Sequence, residues 1–361
     1  MQNRSFLRCE SVTQDTAWVR TFSLRVLAKE MAEQCDMGRY LILELPDREG
    51  VIQQRNYSIV GRPEADLVEI AVKDTGRSGI SSQLHSTVAV DSLLLSAGVG
   101  GLITVDSLAG VQRVAMFAGG IGITLPMALI RQLDRRARNK IATPTVQLFI
   151  SVPSLAELPY LDELLAMSLS NAWLDVRIFL TQEKFVSDSR LFTSGRPLRA
   201  DYTELGTPEI AVICGSLGFV SENRDVLSHL FPETKLLIEN FTQVSDQPRN
   251  SATSEAACSV TVYATDQQHQ VATDVALLGE LDRCNLKIKS QCKSGICGSC
   301  RVRLRSGSVR SDGDFALTPR EGLKKPFLQK SKPVNTGAPA RFLSKKMGFF
   351  RGYLEGVDKI N

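Results

Sequence analysis

Apolar positions change their spacing twice along this chain of 361 residues. Over residues 1–106 they fall in short runs broken by turn formers. The segments "VIQQRNYSIV" and "LVEIAVK" are rich in β-branched residues. Val68, Ile70 and Val72 recur at every second position, and "RPEAD" between the segments is turn-like. Only "SGISSQLHS" reads as a helix start. About six short strands predict an antiparallel barrel.

From residue 111 the period alternates. "VQRVAMFAGG" is an apolar strand ending in glycines, and "TLPMALIRQLDRRA" places Leu125, Leu129 and Leu133 on one helical face. Strand and helix patterns then follow in turn through "TVQLFISV", "LPYLDELLAMS", "LDVRIFLT", "EIAVICGS", "VSENRDVLSHLF" and "KLLIENF". Such alternation predicts a parallel α/β sheet over residues 107–241. Residues 242–257 are polar, rich in Ser and Thr and without period, which predicts a linker. A third unit over 258–323 opens on the strand "CSVTVYA", continues with the helix "VALLGELDRC" and closes on the strand "RVRLRSGSV". The remainder, 324–361, has no clean period and is predicted to be an irregular tail.

Charge sharpens that division. The tail holds nine basic residues against Glu355 and Asp358, a net +7 beside −3 for the rest of the chain. The body carries no basic patch on a recognisable nucleic-acid module, so nucleic acid is not an expected partner. The longest uncharged stretch, residues 114–130, is 17 residues long and interrupted by "GGIG", so a strand, turn and helix suit it better than a membrane span. No apolar leader opens the chain. With eight cysteines, three of them clustered, this predicts a cytoplasmic location with reduced thiols rather than disulfides.

Four stretches could carry chemistry, each with a plainer structural reading beside it. "GGIGIT" (119–124) sits between a strand and a helix, where glycines let backbone approach a pyrophosphate; a tight packing turn has the same sequence. Cys214 and Gly215 end a later strand of the same sheet, at the edge where ligands bind, or Cys214 is simply buried. In "RNYS" (55–58), Arg55 could hold a phosphate, Tyr57 stack and Ser58 donate a hydrogen bond, or the segment is an ordinary strand. "GRSGISSQLH" (76–85) is a second cradle of glycines and hydroxyls, or a capped surface helix. His85, His229 and His269 stand alone and suggest no site.

The most specific signal is "CKSGICGSC" (292–300), a C-x4-C-x2-C array of Cys292, Cys297 and Cys300. This is the spacing of a plant-type iron–sulfur loop, with glycines that keep its backbone compact; a zinc loop is the competing reading. A cluster of this type takes four thiolates, and no cysteine follows Cys300.

In this order, the motifs resemble the phthalate dioxygenase reductase family, which includes vanillate demethylase reductases, over about residues 5–321. The resemblance implies a multidomain chain: an antiparallel flavin β-barrel (1–106), a parallel α/β NAD(P)H domain (107–241) and an α+β ferredoxin domain of the β-grasp type (258–323). It implies FMN held by Arg55, Tyr57 and Ser58, with Ala71, Val72 and Lys73 and with Gly79, Ser81 and Ser82. It implies NADH at Gly119, Gly120, Gly122 and Thr124, with Cys214 and Gly215 on the nicotinamide side. "ENF" (239–241) resembles the acidic-aromatic end of the nucleotide domain. A 2Fe-2S cluster is implied at Cys292, Cys297 and Cys300.

The implied activity passes electrons from NADH through FMN and the cluster to a partner, usually a Rieske-type oxygenase. The cofactors supply the chemistry, so no catalytic side chain is required. A soluble monomer is expected. Three departures stand out. Leu125 separates Thr124 from Pro126, Ser216 replaces the proline of Cys-Gly-Pro, and after Glu321 the family's segment with the fourth cysteine gives way to a basic one. That last change leaves open a flavin-only diaphorase or an inactive relic, with a replaced or frame-shifted terminus as one explanation.

Overall fold

A computed structural model describes residues 4–46, 50, 52–76, 79–184, 189–241, 257–262, 267–272, 277–284, 302–306, 309–311, 331–333 and 340–344. The chain divides into two compact units, Met1–Thr242 and Gln243–Asn361.

In the first unit, period-2 patterning closes a barrel. The strands are β1 (Ser5–Thr16), β2 (Val19–Val26), β3 (Tyr40–Pro46), β4 (Ile52–Gly61), β5 (Leu67–Lys73) and β6 (Leu93–Gly100). They run antiparallel in the order β1-β2-β5-β4-β3-β6, and β6 pairs back onto β1, so no edge is left for foreign strands. Two helices attach to it, α1 (Lys29–Ala32) and α2 (Ile80–Thr87). Leu7, Phe22, Leu24, Leu41, Leu43, Ile59 and Ile70 fill the interior.

The same unit continues with β7 (Arg113–Gly119), α3 (Thr124–Arg138), β8 (Thr145–Val152), α4 (Leu161–Ser170), β9 (Leu174–Leu180), β10 (Phe192–Ser194), α5 (Arg199–Thr203), β11 (Ile210–Gly215), α6 (Leu217–Leu230) and β12 (Lys235–Asn240). The strands form one parallel sheet, β10-β9-β8-β7-β11-β12. Both residue parities of its central strands are apolar because both faces are covered. Met116, Leu148, Ile178 and Val212 share one core cluster with residues of α3 and α4. Phe117, Phe149, Phe179 and Tyr202 form a second, aromatic contact set, with centroids 5.3–6.1 Å apart. The 17-residue uncharged stretch is thus β7, a glycine turn and the start of α3. Among the described residues, no helix is long and apolar enough to cross a membrane. β10 and α5 are too short to show a period in the sequence.

Barrel and sheet interlock within this unit. Ala128 of α3 packs in the barrel core, and Val60 of β4 packs in the sheet's core. Arg131 of α3 donates to the Val60 carbonyl (3.0 Å), grips Glu163 of α4 (2.8 and 2.6 Å) and lies over the Tyr160 ring (4.9 Å). The Tyr160 hydroxyl meets Thr21 of β2 at 3.1 Å.

The second unit contains β13 (Ala257–Val262), β14 (Gln267–Ala272), α7 (Leu277–Arg283), β15 (Val302–Ser306), β16 (Val309–Ser311), β17 (Ser331–Pro333) and β18 (Ala340–Ser344). Its main sheet has the order β14-β13-β18-β15, and β16 pairs with β17. Here the expectation of an irregular tail over 324–361 is corrected. β18 lies between β13, to which it is parallel, and β15, to which it is antiparallel, so tail residues supply an inner strand. Its five residues sit in a basic context, and their partners are far away in sequence, so local periodicity could not reveal the pairing. The predicted linker lies outside the described residues except for Ala257, which opens β13.

Candidate functional site

The carboxyl edge of the parallel sheet meets barrel strand β4, and two sets of predicted residues converge there. At the end of β7 the chain makes a short 3₁₀ turn over Gly120–Ile123 and enters α3 at Thr124. Gly120 has φ +56°, which favours glycine, and a side chain there would project into open space. Gly122 is fixed by contact instead: a Cβ would stand 2.2 Å from the Cys214 carbonyl oxygen. The turn therefore packs flush against β11 while leaving open space at Gly120, just before the α3 N-terminus, an arrangement able to receive phosphate oxygens. Thr124 is buried and donates to the Ile121 carbonyl at 3.1 Å. Pro126 is the third residue of α3, where no intrahelical N–H is needed, so its displacement by one position leaves the helix start intact.

Cys214 and Gly215 end β11. Ser216 then caps α6 by accepting from the Phe219 N–H, and the Phe219 ring lies over Gly119 and Gly215, where a Cβ on either would approach it to 2.7 Å. Cys214 is fully buried, and its thiol is held well above its ordinary pKa, first by burial and then by the charge of Glu239. Glu239 is the register partner of Cys214 on β12. Across the crevice, the buried Ser58 hydroxyl of β4 donates to Glu239 Oε1 at 2.8 Å. A barrel hydroxyl, a sheet carboxylate and a neutral thiol thus meet in one place. The resemblance of "ENF" to the end of a nucleotide domain assigns Glu239 no role; its signal in the sequence is an acid among the last residues of an apolar strand.

The predicted flavin residues are more dispersed. Strand alternation separates Tyr57, which packs in the barrel core, from Ser58, which faces the crevice. The Tyr57 hydroxyl meets Ser81 at 3.3 Å, and burial pushes its pKa up to about 12. Arg55 is half-buried and donates to the Gln54 carbonyl at 2.8 Å. Gly79 is the extended residue that precedes α2. Ser82 donates to Asp74, which also accepts from the Gly76 N–H. These hydrogen bonds, Ser82's first, hold the Asp74 carboxyl below its usual range, so an anion lies beside the hydroxyl cradle. Ala71 and Val72 are buried, and Lys73 reaches out of the barrel to Glu157 at 2.7 Å. Lys73 therefore links barrel to sheet. The start of α2 has no acid in its first turn, and the Tyr57 and Ser81 hydroxyls meet beside it.

The metal set falls outside this view. Cys292, Cys297 and Cys300 lie outside the described residues. Among the described residues, no group of three or more His, Cys, Asp or Glu could hold a metal. The unit also contains Cys258 on β13 and Cys284, a half-buried free thiol directly after α7. The donor chemistry fits three of the four thiolates that a 2Fe-2S cluster takes.

Two family models match the chain. A ferric reductase NAD binding domain matches residues 111–230, and a 2Fe-2S iron-sulfur cluster binding domain matches residues 247–328. The chain is 25% identical over 295 residues to the vanillate O-demethylase oxidoreductase of Pseudomonas sp. (strain HR199 / DSM 7063), covering 80% of this chain and 84% of that protein. It is 24% identical over 265 residues to the phthalate dioxygenase reductase of Burkholderia cepacia, covering 71% and 73%. The solved structure of a phthalate dioxygenase reductase shares the fold, with TM-score 0.54, 18% identity and coverage of 94% of this chain and 97% of that one. A full-length cytochrome P450 from Tepidiphilus thermophilus gives TM-score 0.67 at 22% identity, with 94% of this chain matching 41% of that one.

Proposed function

We propose that this relative of the vanillate demethylase and phthalate dioxygenase reductases is an oxidoreductase that feeds electrons from NADH to an oxygenase. The observation that carries this reading is the Ser58–Glu239 contact beside Cys214, where the barrel reaches the carboxyl edge of the nucleotide sheet. When bound, FMN takes a hydride from NADH and the 2Fe-2S cluster relays single electrons onward.

This chain's own residues orient and insulate that transfer. The Gly119–Gly122 turn receives the pyrophosphate at the start of α3. Ser58 presents a hydroxyl whose direction is fixed by Glu239. Cys214, kept neutral, forms an apolar floor that excludes water. Tyr57, Ser81 and Arg55 hold the flavin side. The second unit acts as a β-grasp ferredoxin domain with Cys292, Cys297 and Cys300 as ligands. The partner is a Rieske-type oxygenase, met by a monomer in the cytoplasm.

The test is composition. Purified protein should carry extractable FMN and two irons per chain, with broad visible iron–sulfur bands over the flavin spectrum. Protein without flavin would refute the reading. One sequence observation favours a second reading: a fourth cysteine is missing after Cys300. Flavin without iron, bleached by NADH, would identify a flavin-only diaphorase.

A further inference from the structure

Three neighbouring strands of the barrel, β2, β5 and β4, each send one side chain to the nucleotide sheet. Ser58 of β4 donates to Glu239 on β12 at 2.8 Å. Lys73 of β5 pairs with Glu157 at 2.7 Å. Thr21 of β2 meets the Tyr160 hydroxyl at 3.1 Å. Glu157 and Tyr160 lie on the segment that joins β8 to α4. The contacts therefore flank β7 and its glycine turn, with the β8 side at one end and β12 at the other. Ser58 and Lys73 are candidate flavin contacts; Thr21 and Tyr160 are not.

The Thr21–Tyr160 contact is held from both sides. Thr21 is buried and gives its one hydroxyl proton to Asp15 Oδ2 at 2.7 Å, so the Tyr160 hydroxyl is the donor to Thr21. Burial holds that hydroxyl above its ordinary pKa, and it keeps its proton. The Arg131 guanidinium lies 4.9 Å from the centre of the Tyr160 ring, gripped by Glu163 and 3.8 Å from Glu69 Oε2. Tyr160 has φ +64°, a left-handed backbone uncommon for a tyrosine. It stands directly before α4, and its carbonyl accepts the Leu164 N–H at 2.9 Å. Such a backbone persists where its surroundings hold it, and here those surroundings bring the hydroxyl to the barrel.

We propose that Tyr160 is a positioning residue for hydride transfer: through Thr21 and Asp15, its hydroxyl fixes the angle between barrel and sheet on the β8 side, opposite Ser58 and Glu239. It acts through the seating of the two cores rather than by touching either cofactor. Without the hydroxyl, flavin and nicotinamide still bind but meet less often in the transferring geometry. The inference rests on the reading of this crevice as the place where NADH meets flavin.

Stopped-flow bleaching of the flavin by NADH, on the full-length chain, tests it beside thermal melts. Tyr160→Phe keeps the ring beneath Arg131. It should lower the limiting bleaching rate about fivefold, with flavin content and half-saturating NADH within about twofold of wild type. Thr21→Val should behave alike, and Thr21→Ser, which retains the hydroxyl, should keep the wild-type rate. Tyr160→Phe combined with Thr21→Val should be no slower than either alone, and its loss in melting temperature should be smaller than the sum of the two single losses. Tyr202→Phe is the control. It removes a buried hydroxyl that bonds Asn223 at 2.9 Å within the nucleotide domain, and it should lower the melting temperature without changing the rate. A wild-type limiting rate in Tyr160→Phe, equal slowing in Tyr202→Phe, or independent effects in the double variant would overturn the role of Tyr160 and leave the reading of the crevice standing. Wild-type protein whose flavin NADH fails to bleach would overturn that reading, and this inference with it.

Discussion

In residues 1–242, candidate cofactor contacts are spread over many elements. Backbone turns, a few neutral hydroxyls and one carboxylate are locked by two interleaved cores. In residues 243–361, the candidate metal chemistry rests on three thiols within nine residues of sequence, and the described main sheet has an inner strand that arrives last in sequence among its strands. The contrast predicts different failures. A site of distributed backbone contacts loses function by degrees, whereas a site built on three clustered thiolates has none to spare when one of them goes.

The sharpest way to break this contrast is Cys297→Ser. It should remove essentially all cluster iron while leaving the flavin, and its bleaching by NADH, unchanged; iron assay and visible spectra check both halves. Retained iron would show that the loop is not the cluster's anchor. Next comes Gly122→Ala. With its Cβ forced to 2.2 Å from a backbone oxygen, it should cost about 1–3 kcal/mol, read as a melting temperature several degrees lower.

Ser58→Ala should be milder. It removes the donor to Glu239 without disturbing the core and should slow flavin bleaching by NADH about tenfold, a loss of roughly 1.4 kcal/mol, with flavin content intact. Stopped-flow absorbance separates rate from content. The smallest effect belongs to Asp74→Asn. Removing the anion beside Ser82 should tighten FMN binding about two- to fivefold. Because Asp74 is held below the usual carboxylate range, it stays charged until the pH falls through that lowered pKa. Variant and wild type should therefore differ at neutral pH and converge only in acid.

The same contrast shows what was legible in the sequence. The elements of residues 107–241 could be read because strands buried on both faces and amphipathic helices leave strong periods: "TVQLFISV" is β8, residue for residue. The glycine turn was legible for a physical reason too, since Gly120 needs φ +56° and Gly122 needs the absence of a Cβ. What stayed hidden arises between distant segments. Nothing local in "KLLIENF" says that Glu239 will accept from Ser58, and nothing in "AVK" says that Lys73 will leave the barrel for Glu157. Likewise, β18 becomes a strand through its pairing with β13 and β15.

The most direct test of the central claim is an anaerobic titration of the purified full-length chain with NADH, followed by visible absorbance. If electrons pass from NADH through flavin to a 2Fe-2S cluster, the flavin and iron–sulfur bands should both bleach, with about 1.5 equivalents of NADH needed for two electrons on the flavin and one on the cluster. Bleaching of the flavin alone after one equivalent, with no iron–sulfur band at the start, would contradict it.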